Sequence, residues 1–331
     1  MNLNNNLAFI FPGQGSQAVG MLETFAGEQI VKQTLEEAND SLNEDIYDVI
    51  ANGSAEKLNS TIYTQPAILA TSVAIYRLWT QKTNILPSLV AGHSLGEYSA
   101  LVATGSLAFS DAIKLVRFRA KVMQEAVPAG VGSMAAIIGL EADKIRQICQ
   151  EITQQKTFGS VEVANYNSRE QTVIAGHKEA LEQACNALKQ SGAKRALPLP
   201  VSAPFHSSLL SPASLELEQY LKDVTINPIQ DIKYINNVDV AMPVDSANIK
   251  QALVKQVSSS VRWVETIELM LSNNITNFVE CGPAKVLQGL VKRILPSDSA
   301  KSNDFNILGA DNLDTLLSSI ESLNNINTLV E

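Results

Sequence analysis

Continuous apolar runs alternate along this chain with stretches of helical periodicity, and this alternation predicts an α/β protein. The runs Leu7–Phe11 and Leu86–Ala91 are typical of strands that a parallel sheet buries on both faces. A helix-favouring stretch, Glu97–Ala103, follows the second run after a short turn. Residues Ser110–Val127 repeat apolar side chains with the period of a helix that packs one face on a core.

The middle of the chain predicts a small unit, residues 128–200, inserted between the two parts of a larger body, residues 1–127 and 201–331. Glycine and proline mark its boundaries at Pro128–Gly132 and Pro198–Pro200. Between them we predict, in chain order, the strand Ser133–Leu140, the helix Glu141–Thr153, the strands Val161–Tyr166 and Thr172–Ala175, the helix Lys178–Ser191 and the strand Arg195–Leu199. This β-α-β-β-α-β order is the signature of a ferredoxin-like fold.

The turn between the second apolar run and its helix carries the strongest chemical signal. Gly92–Gly96 has the pattern G-x-S-x-G, in which the two glycines permit a sharp turn that projects the hydroxyl of Ser94 beyond the strand. The alternative is a glycine-flanked turn whose serine only caps the helix. Because strand, turn and helix all occur in the order that the pattern requires, we interpret Ser94 as a nucleophile.

Three histidines could serve as the general base for this serine. His93 is adjacent to Ser94 in the chain, so its side chain is directed to the opposite face. His177 precedes a polar helix and is typical of a surface turn. His206 lies in an apolar loop that Pro198, Pro200 and Pro204 stiffen, which suits a positioned base. We therefore assign the role to His206.

The loop after the first strand, Pro12–Gln17, exposes backbone N–H groups. Gly13, Gly15 and Ala18 also fit the dinucleotide-binding pattern G-x-G-x-x-G/A, although residues 30–50 show no second strand that ends in an acidic ribose ligand. We favour an oxyanion hole, formed by the backbone N–H groups of Gln14 and Leu95.

Arg119 occupies the middle of the apolar stripe of the predicted helix Ser110–Val127, whereas Arg117 lies on its polar face. A buried guanidinium is costly unless an anion meets it, and its planar fork suits a carboxylate. Two explanations remain open on periodicity alone: Arg119 binds a substrate carboxylate, or it forms a structural ion pair with an acidic residue of the chain.

Composition narrows the class of protein. A net charge of −9 opposes nonspecific nucleic-acid binding, and no segment is long and apolar enough to cross a membrane. Cys149, Cys185 and Cys281 are widely spaced and lack paired histidines, which favours a reducing, cytoplasmic setting and no metal site. The amino terminus lacks the features of a signal peptide. The polar stretches Ser297–Asp304 and Asn324–Asn327 predict a linker and a tail.

These features together resemble the malonyl-CoA:acyl carrier protein transacylases, including the acyltransferase domains of polyketide and fatty acid synthases. The matching segments span nearly the whole chain in the order of the family: Phe11–Gln17, Gly92–Tyr98, Arg117–Arg119, Ala203–Ser207, Val261–Trp263 and Glu280–Pro283. The resemblance implies an α/β fold, with an α/β-hydrolase-like large subdomain and an inserted ferredoxin-like small subdomain.

The same resemblance implies roles for individual residues. Ser94 would be acylated, with His206 as base, Gln14 and Leu95 as oxyanion hole, and Arg119 on the malonyl carboxylate. The backbone carbonyl of Gln256 would orient the histidine, so that no aspartate is needed. Further expected substrate contacts are His93, Asn165 and Phe205. Phe205 and Leu95 follow the pattern associated with malonyl rather than methylmalonyl groups. Ser258–Ser260 replace a proline that the family usually has before Val261.

The implied reaction is a two-step, ping-pong acyl transfer from malonyl-CoA to the phosphopantetheine thiol of an acyl carrier protein, without a cofactor. Three alternative functions remain. They are a trans-acting polyketide synthase acyltransferase, an acyl-thioester hydrolase, and a carrier-docking module with a vestigial site. The buried Arg119 argues against the hydrolase, and the intact pair of Ser94 and His206 argues against the docking module.

Overall fold

The computed structural model describes residues 2–201, 203–296 and 305–328. Its strands are β1 Asn2–Phe11, β2 Ile85–Gly92, β3 Gly132–Ile138, β4 Val161–Ser168, β5 Gln171–His177, β6 Arg195–Pro198, β7 Lys233–Ile235, β8 Asn277–Glu280 and β9 Asn306–Gly309. Its α-helices are α1 Gln29–Leu42, α2 Ile46–Ala51, α3 Ala55–Asn59, α4 Thr61–Lys82, α5 Gly96–Ala103, α6 Phe109–Glu125, α7 Ala142–Gln155, α8 Lys178–Gln190, α9 Ser211–Leu221, α10 Ser246–Val257, α11 Trp263–Ser272, α12 Val286–Ile294 and α13 Leu313–Thr328.

The first apolar run forms the central strand of a five-stranded sheet with the order β7-β2-β1-β8-β9. Each neighbouring pair in this sheet is parallel. The side chains of Leu7–Phe11 are fully buried, as the continuous apolar run predicts. Because parallel strands end at the same edge, the loops that follow Phe11, Gly92, Ile235 and Glu280 meet there. This edge is where open α/β sheets bind their ligands.

Residues 132–198 form a second, antiparallel sheet with the order β4-β5-β3-β6. Numbered within this segment the order is 2-3-1-4, and α7 and α8 connect its strands, as a ferredoxin-like fold requires. All six predicted elements are present, with ends that differ from the prediction by no more than two residues. The predicted fold class is therefore confirmed.

Two backbone hydrogen bonds join this antiparallel sheet to the loop that follows α10. Tyr166 N donates to Val261 O at 2.9 Å, and Val261 N donates to Ala164 O at 2.9 Å. The hydroxyl of Ser260 adds a bond to the carbonyl of Val163 at 2.6 Å. The segment Ser260–Val261 thus continues the sheet beyond its edge strand β4.

One prediction about the end of the chain was wrong, and another cannot be compared. Asn324–Asn327 lie inside α13 rather than in a tail, because Leu316, Ile320 and Leu323 bury one face of that helix. The predicted linker Ser297–Asp304 lies outside the described residues. No helix in the part of the chain that the structure describes is long and apolar enough to cross a membrane.

The core of the larger sheet depends on aromatic packing against β1. The Trp79 ring of α4 is fully buried and meets the ring of Phe9 edge to face, with 4.9 Å between centroids. Its indole N–H donates to the carbonyl of Ile85 at 2.9 Å, so the side chain also fixes the start of β2.

We predict that Trp79→Ala lowers the free energy of unfolding by about 3–5 kcal/mol, because it leaves a large cavity and an unpaired carbonyl. Chemical denaturation measures this change, with Trp79→Phe expected to lose less. Leu215→Ala is the control, since that side chain is 64% exposed. Equal losses in the Trp79→Ala and Leu215→Ala variants would contradict the interpretation.

Candidate active site

The turn that carries Ser94 has no room for a side chain on either flanking glycine. A Cβ on Gly92 would lie 1.9 Å from the carbonyl carbon of Gly96, and a Cβ on Gly96 would lie 2.0 Å from the oxygen of Phe11. Ser94 itself has a φ of 52°, a left-handed conformation that non-glycine residues rarely adopt. The close contacts hold this strained turn and project the hydroxyl into the cleft.

His206 lies directly against the serine. Its Nε2 is 2.7 Å from Ser94 Oγ, and its Nδ1 is 2.9 Å from the backbone oxygen of Gln256. Because a carbonyl only accepts hydrogen bonds, Nδ1 carries the proton and Nε2 is free to accept one from the serine. Burial and the nearby charge of Arg119 lower the pKa of His206 to about 3, so the ring is neutral at physiological pH.

The other two histidines have different surroundings. His93 Nε2 is 2.7 Å from Asn167 Oδ1, its ring meets Trp263 edge to face, and burial lowers its pKa. His177 ends β5, and its Nδ1 accepts a hydrogen bond from the backbone N–H of Ser160 at 2.9 Å. His206 is thus the histidine that is bonded to Ser94.

Arg119 is 1% exposed and extends from α6 to the serine. Its Nη2 donates to Ser94 Oγ at 3.1 Å and to the side-chain oxygen of Gln256 at 2.8 Å, while its Nη1 donates to that of Gln65 at 2.9 Å. None of the ion pairs between described residues includes Arg119. Burial lowers its pKa, and its Nε has no hydrogen-bond partner among the described residues. Among the described residues, Arg119 therefore does not form the structural ion pair that was the second explanation for its buried position.

The loop of Gln14 packs directly on the serine turn, since a Cβ on Gly13 would lie 2.4 Å from the carbonyl oxygen of His93. Gln14 and Leu95 both line a cavity of about 120 Å³. The cavity combines polar groups at the serine with an apolar wall, and its lining includes Gln14, Gln65, His93, Ser94, Leu95, Arg119, Met123, Met134, Asn165, Leu199, Val201, Phe205 and His206.

A buried polar network beneath the serine turn was not predicted. Asn237 accepts a hydrogen bond from the backbone N–H of Ser94 and donates to the carbonyl of Gly92, both at 2.7 Å. Glu97 is fully buried and accepts from the hydroxyl of Tyr234, from the backbone N–H of Asn237 at 3.1 Å and from the side chain of Gln256 at 2.7 Å. Burial raises the pKa of Glu97 to about 7.

Sequence signals for this network exist but are weak. Glu97 is the one charged residue in the otherwise uncharged helix α5, and Asn237 follows the short strand β7. Asn165 and Asn167 are typical of turns when taken alone, yet both lie in β4 and are nearly buried.

The dinucleotide alternative lacks its second strand. Residues 29–51 contain α1 and α2, with no strand to present an acidic ribose ligand.

Within the described ranges, no three His, Cys, Asp or Glu side chains are grouped as a metal ion would require.

A strained serine turn at the carboxyl end of a parallel strand, with a neutral histidine and a buried arginine, is typical of serine-dependent enzymes of the α/β class. A family model described as the acyl transferase domain matches residues 8–322. The chain belongs to this acyl transferase family.

Curated relatives extend over nearly the whole chain. A malonyl CoA-acyl carrier protein transacylase of Salmonella typhimurium is 48% identical over 296 residues, which cover 89% of this chain and 94% of the relative. One of Bacillus subtilis with the same name is 43% identical over 291 residues, covering 88% of this chain and 90% of the relative.

Solved structures give the same family. An acyl-carrier-protein S-malonyltransferase of Burkholderia pseudomallei superposes with a TM-score of 0.91 at 50% identity, covering 96% of this chain and 99% of the other. A malonyl-transacylase in complex with a type II polyketide synthase acyl carrier protein superposes with a TM-score of 0.91 at 44% identity, with the same coverage.

We predict that a fluorophosphonate probe labels Ser94 at a rate that stays within roughly twofold between pH 8 and pH 5. The pKa of His206 lies below its ordinary value of 6.5, so the neutral, proton-accepting form persists as the pH falls. Mass spectrometry of the labelled peptide measures the rate.

The control is His206→Ala, which should label slowly at every pH. Glu97→Gln is a second control, because the pKa of Glu97 is about 7 and lies inside this pH range. A loss of half the rate near pH 6.5 that persists in Glu97→Gln would show that His206 titrates as an ordinary histidine.

Proposed function

We propose that this chain transfers the malonyl group of malonyl-CoA to the phosphopantetheine thiol of an acyl carrier protein through a malonyl-serine intermediate. The observation that carries the proposal is the position of Arg119, a buried guanidinium that forms no ion pair with the described acidic side chains and lies 3.1 Å from the oxygen of Ser94. A malonyl thioester has a carboxylate two bonds from the carbonyl that the serine attacks. Curated relatives that carry this activity in their names support the assignment.

The first step forms the acyl-enzyme. His206 Nε2 takes the proton of Ser94 as the oxygen attacks the thioester carbonyl, and the Gln256 carbonyl stabilises the imidazolium through Nδ1. The backbone N–H groups of Gln14 and Leu95 stabilise the oxyanion of the tetrahedral intermediate. When the intermediate collapses, the carbon–sulfur bond breaks and the thiolate of coenzyme A leaves with the proton from His206.

In the second step Ser94 is the leaving group and the acceptor thiol is the attacking group. The phosphopantetheine thiol transfers its proton to His206 and attacks the malonyl ester, and Ser94 leaves with that proton. Arg119 holds the malonyl carboxylate in both steps. Among the residues that line the cavity, His93 and Asn165 contact the substrate, and Phe205 limits the space for a methyl branch.

The alternatives differ in acceptor rather than in the first step. A hydrolase would admit water to the acyl-enzyme, whereas the apolar wall of Met123, Met134 and Leu199 disfavours a water held beside the ester. A trans-acting polyketide synthase acyltransferase would use the same residues with another carrier protein. One solved neighbour is a malonyl-transacylase in complex with a type II polyketide synthase acyl carrier protein.

The proposal also covers the subdomain boundaries of the chain and its cellular compartment. Residues 1–127 and 201–331 form the catalytic body and residues 128–200 the small subdomain, so that Ser94 and His206 meet at their cleft. Cys149, Cys185 and Cys281 are free thiols, which supports a reducing compartment, the cytoplasm.

We predict that malonyl-CoA adds the mass of one malonyl group to the protein and that Ser94→Ala abolishes this gain, because only the serine oxygen can hold the ester. Intact-mass spectrometry measures the gain, and holo acyl carrier protein should then remove it from the enzyme and acquire it. Ser99→Ala, in the same turn–helix segment, is the control.

Labelling that survives in Ser94→Ala would refute the assignment of the nucleophile. Decay of the malonyl-enzyme at the same rate with and without carrier protein would favour the hydrolase instead.

We predict that Arg119→Ala lowers malonyl transfer by roughly 10- to 100-fold while it spares acetyl transfer, since the acetyl group has no carboxylate to bind. Steady-state kinetics with the two acyl-CoA substrates measure both rates. Arg117→Ala is a matched control on the same helix, because Arg117 pairs with Glu44 instead of contacting Ser94. Parallel loss of both activities in Arg119→Ala would assign the arginine a structural role.

A further inference from the structure

The side chain of Gln256 separates two buried groups of opposite charge. Its carbonyl oxygen accepts from Arg119 Nη2 at 2.8 Å, and its amide nitrogen donates to Glu97 Oε2 at 2.7 Å and to the backbone oxygen of Ser94 at 3.0 Å. Gln256 and Glu97 are fully buried, and Arg119 is 1% exposed. An amide is therefore shared between a guanidinium and a carboxyl group in the interior.

This arrangement replaces the contact that electrostatics would otherwise favour. Opposite charges attract strongly in a low-dielectric interior, yet none of the ion pairs between described residues joins Arg119 to Glu97. Glu97 is instead satisfied by Tyr234, Asn237 and Gln256. An arginine already paired with Glu97 would have much less affinity for a substrate carboxylate.

We propose that the side-chain carboxamide of Gln256 is a positioning group that keeps Arg119 apart from Glu97 and so keeps the arginine charge available for the substrate carboxylate. The inference rests on the proposed function and assigns Gln256 a part in acyl-group selection. This part is distinct from the bond between its backbone carbonyl and His206.

An amide suits this position because its two ends have opposite hydrogen-bonding character. The oxygen only accepts, as Arg119 requires, and the nitrogen only donates, as Glu97 requires. A glutamate at the same position would pair with Arg119 and repel Glu97. A methionine would fill a similar volume but leave Arg119 and Glu97 free to move towards each other.

The test is the ratio of kcat/KM for malonyl-CoA to kcat/KM for acetyl-CoA, measured at pH 8, where Glu97, with a pKa of about 7, is mostly ionised. We expect Gln256→Glu and Gln256→Met each to lower this ratio roughly 10- to 100-fold. The ratio is the readout because a disturbed His206 would slow both substrates together. Adding Glu97→Gln to Gln256→Met should restore most of the ratio, since no carboxylate remains to capture Arg119.

Gln65→Met is the matched control, because it removes another amide partner of Arg119 without a contact to Glu97. Its effect on the ratio should not be reversed by Glu97→Gln. An unchanged ratio in both Gln256 variants, a parallel loss of both activities, or no recovery in the double variant would overturn the inference. Failure of the proposed function is recognised separately, since the wild-type protein would then not acquire a malonyl group on Ser94.

Discussion

The contact between the first two strands at their carboxyl ends is the constraint on which the site depends. Gly96 approaches the carbonyl of Phe11 so closely that no side chain fits between them, and Gly92 packs equally tightly on Gly96. These approaches require β1 and β2 to be parallel neighbours in the observed register. The left-handed backbone of Ser94 is strained, and burial of the sheet around it stabilises that conformation. The fold thus supplies the free energy that holds the Ser94 hydroxyl in place.

A single buried charge explains much of the electrostatics of the cleft. Arg119 contributes to the low pKa of His206, and burial is the larger cause. The same arginine donates to the nucleophilic oxygen. A base that is neutral across the physiological range and a guanidinium surrounded by amides suit a site that receives an anionic acyl group. One buried charge therefore both contacts the serine hydroxyl and lowers the pKa of the neighbouring histidine.

The sequence predicted those features that depend on short segments of chain. The six elements of the antiparallel unit followed from local periodicity, and the serine turn followed from the spacing of Gly92 and Gly96. The buried network around Glu97 and Asn237 did not, because its members are more than a hundred residues apart and meet only when β7 pairs with β2. The helix at Asn324–Asn327 was missed because polar composition hid the apolar stripe that precedes it.

The backbone bonds between β4 and Val261 connect the two walls of the cleft mechanically. Asn165 lies on β4, and Gln256 lies on the helix just before Ser260–Val261, so the cavity-lining side of the small sheet and the carbonyl bonded to His206 are joined by a few peptide units. The cleft cannot widen at this point without breaking main-chain hydrogen bonds. The spacing between the small sheet and this loop is consequently a property of the scaffold, and a substitution at Phe205 would change the cavity without changing that spacing.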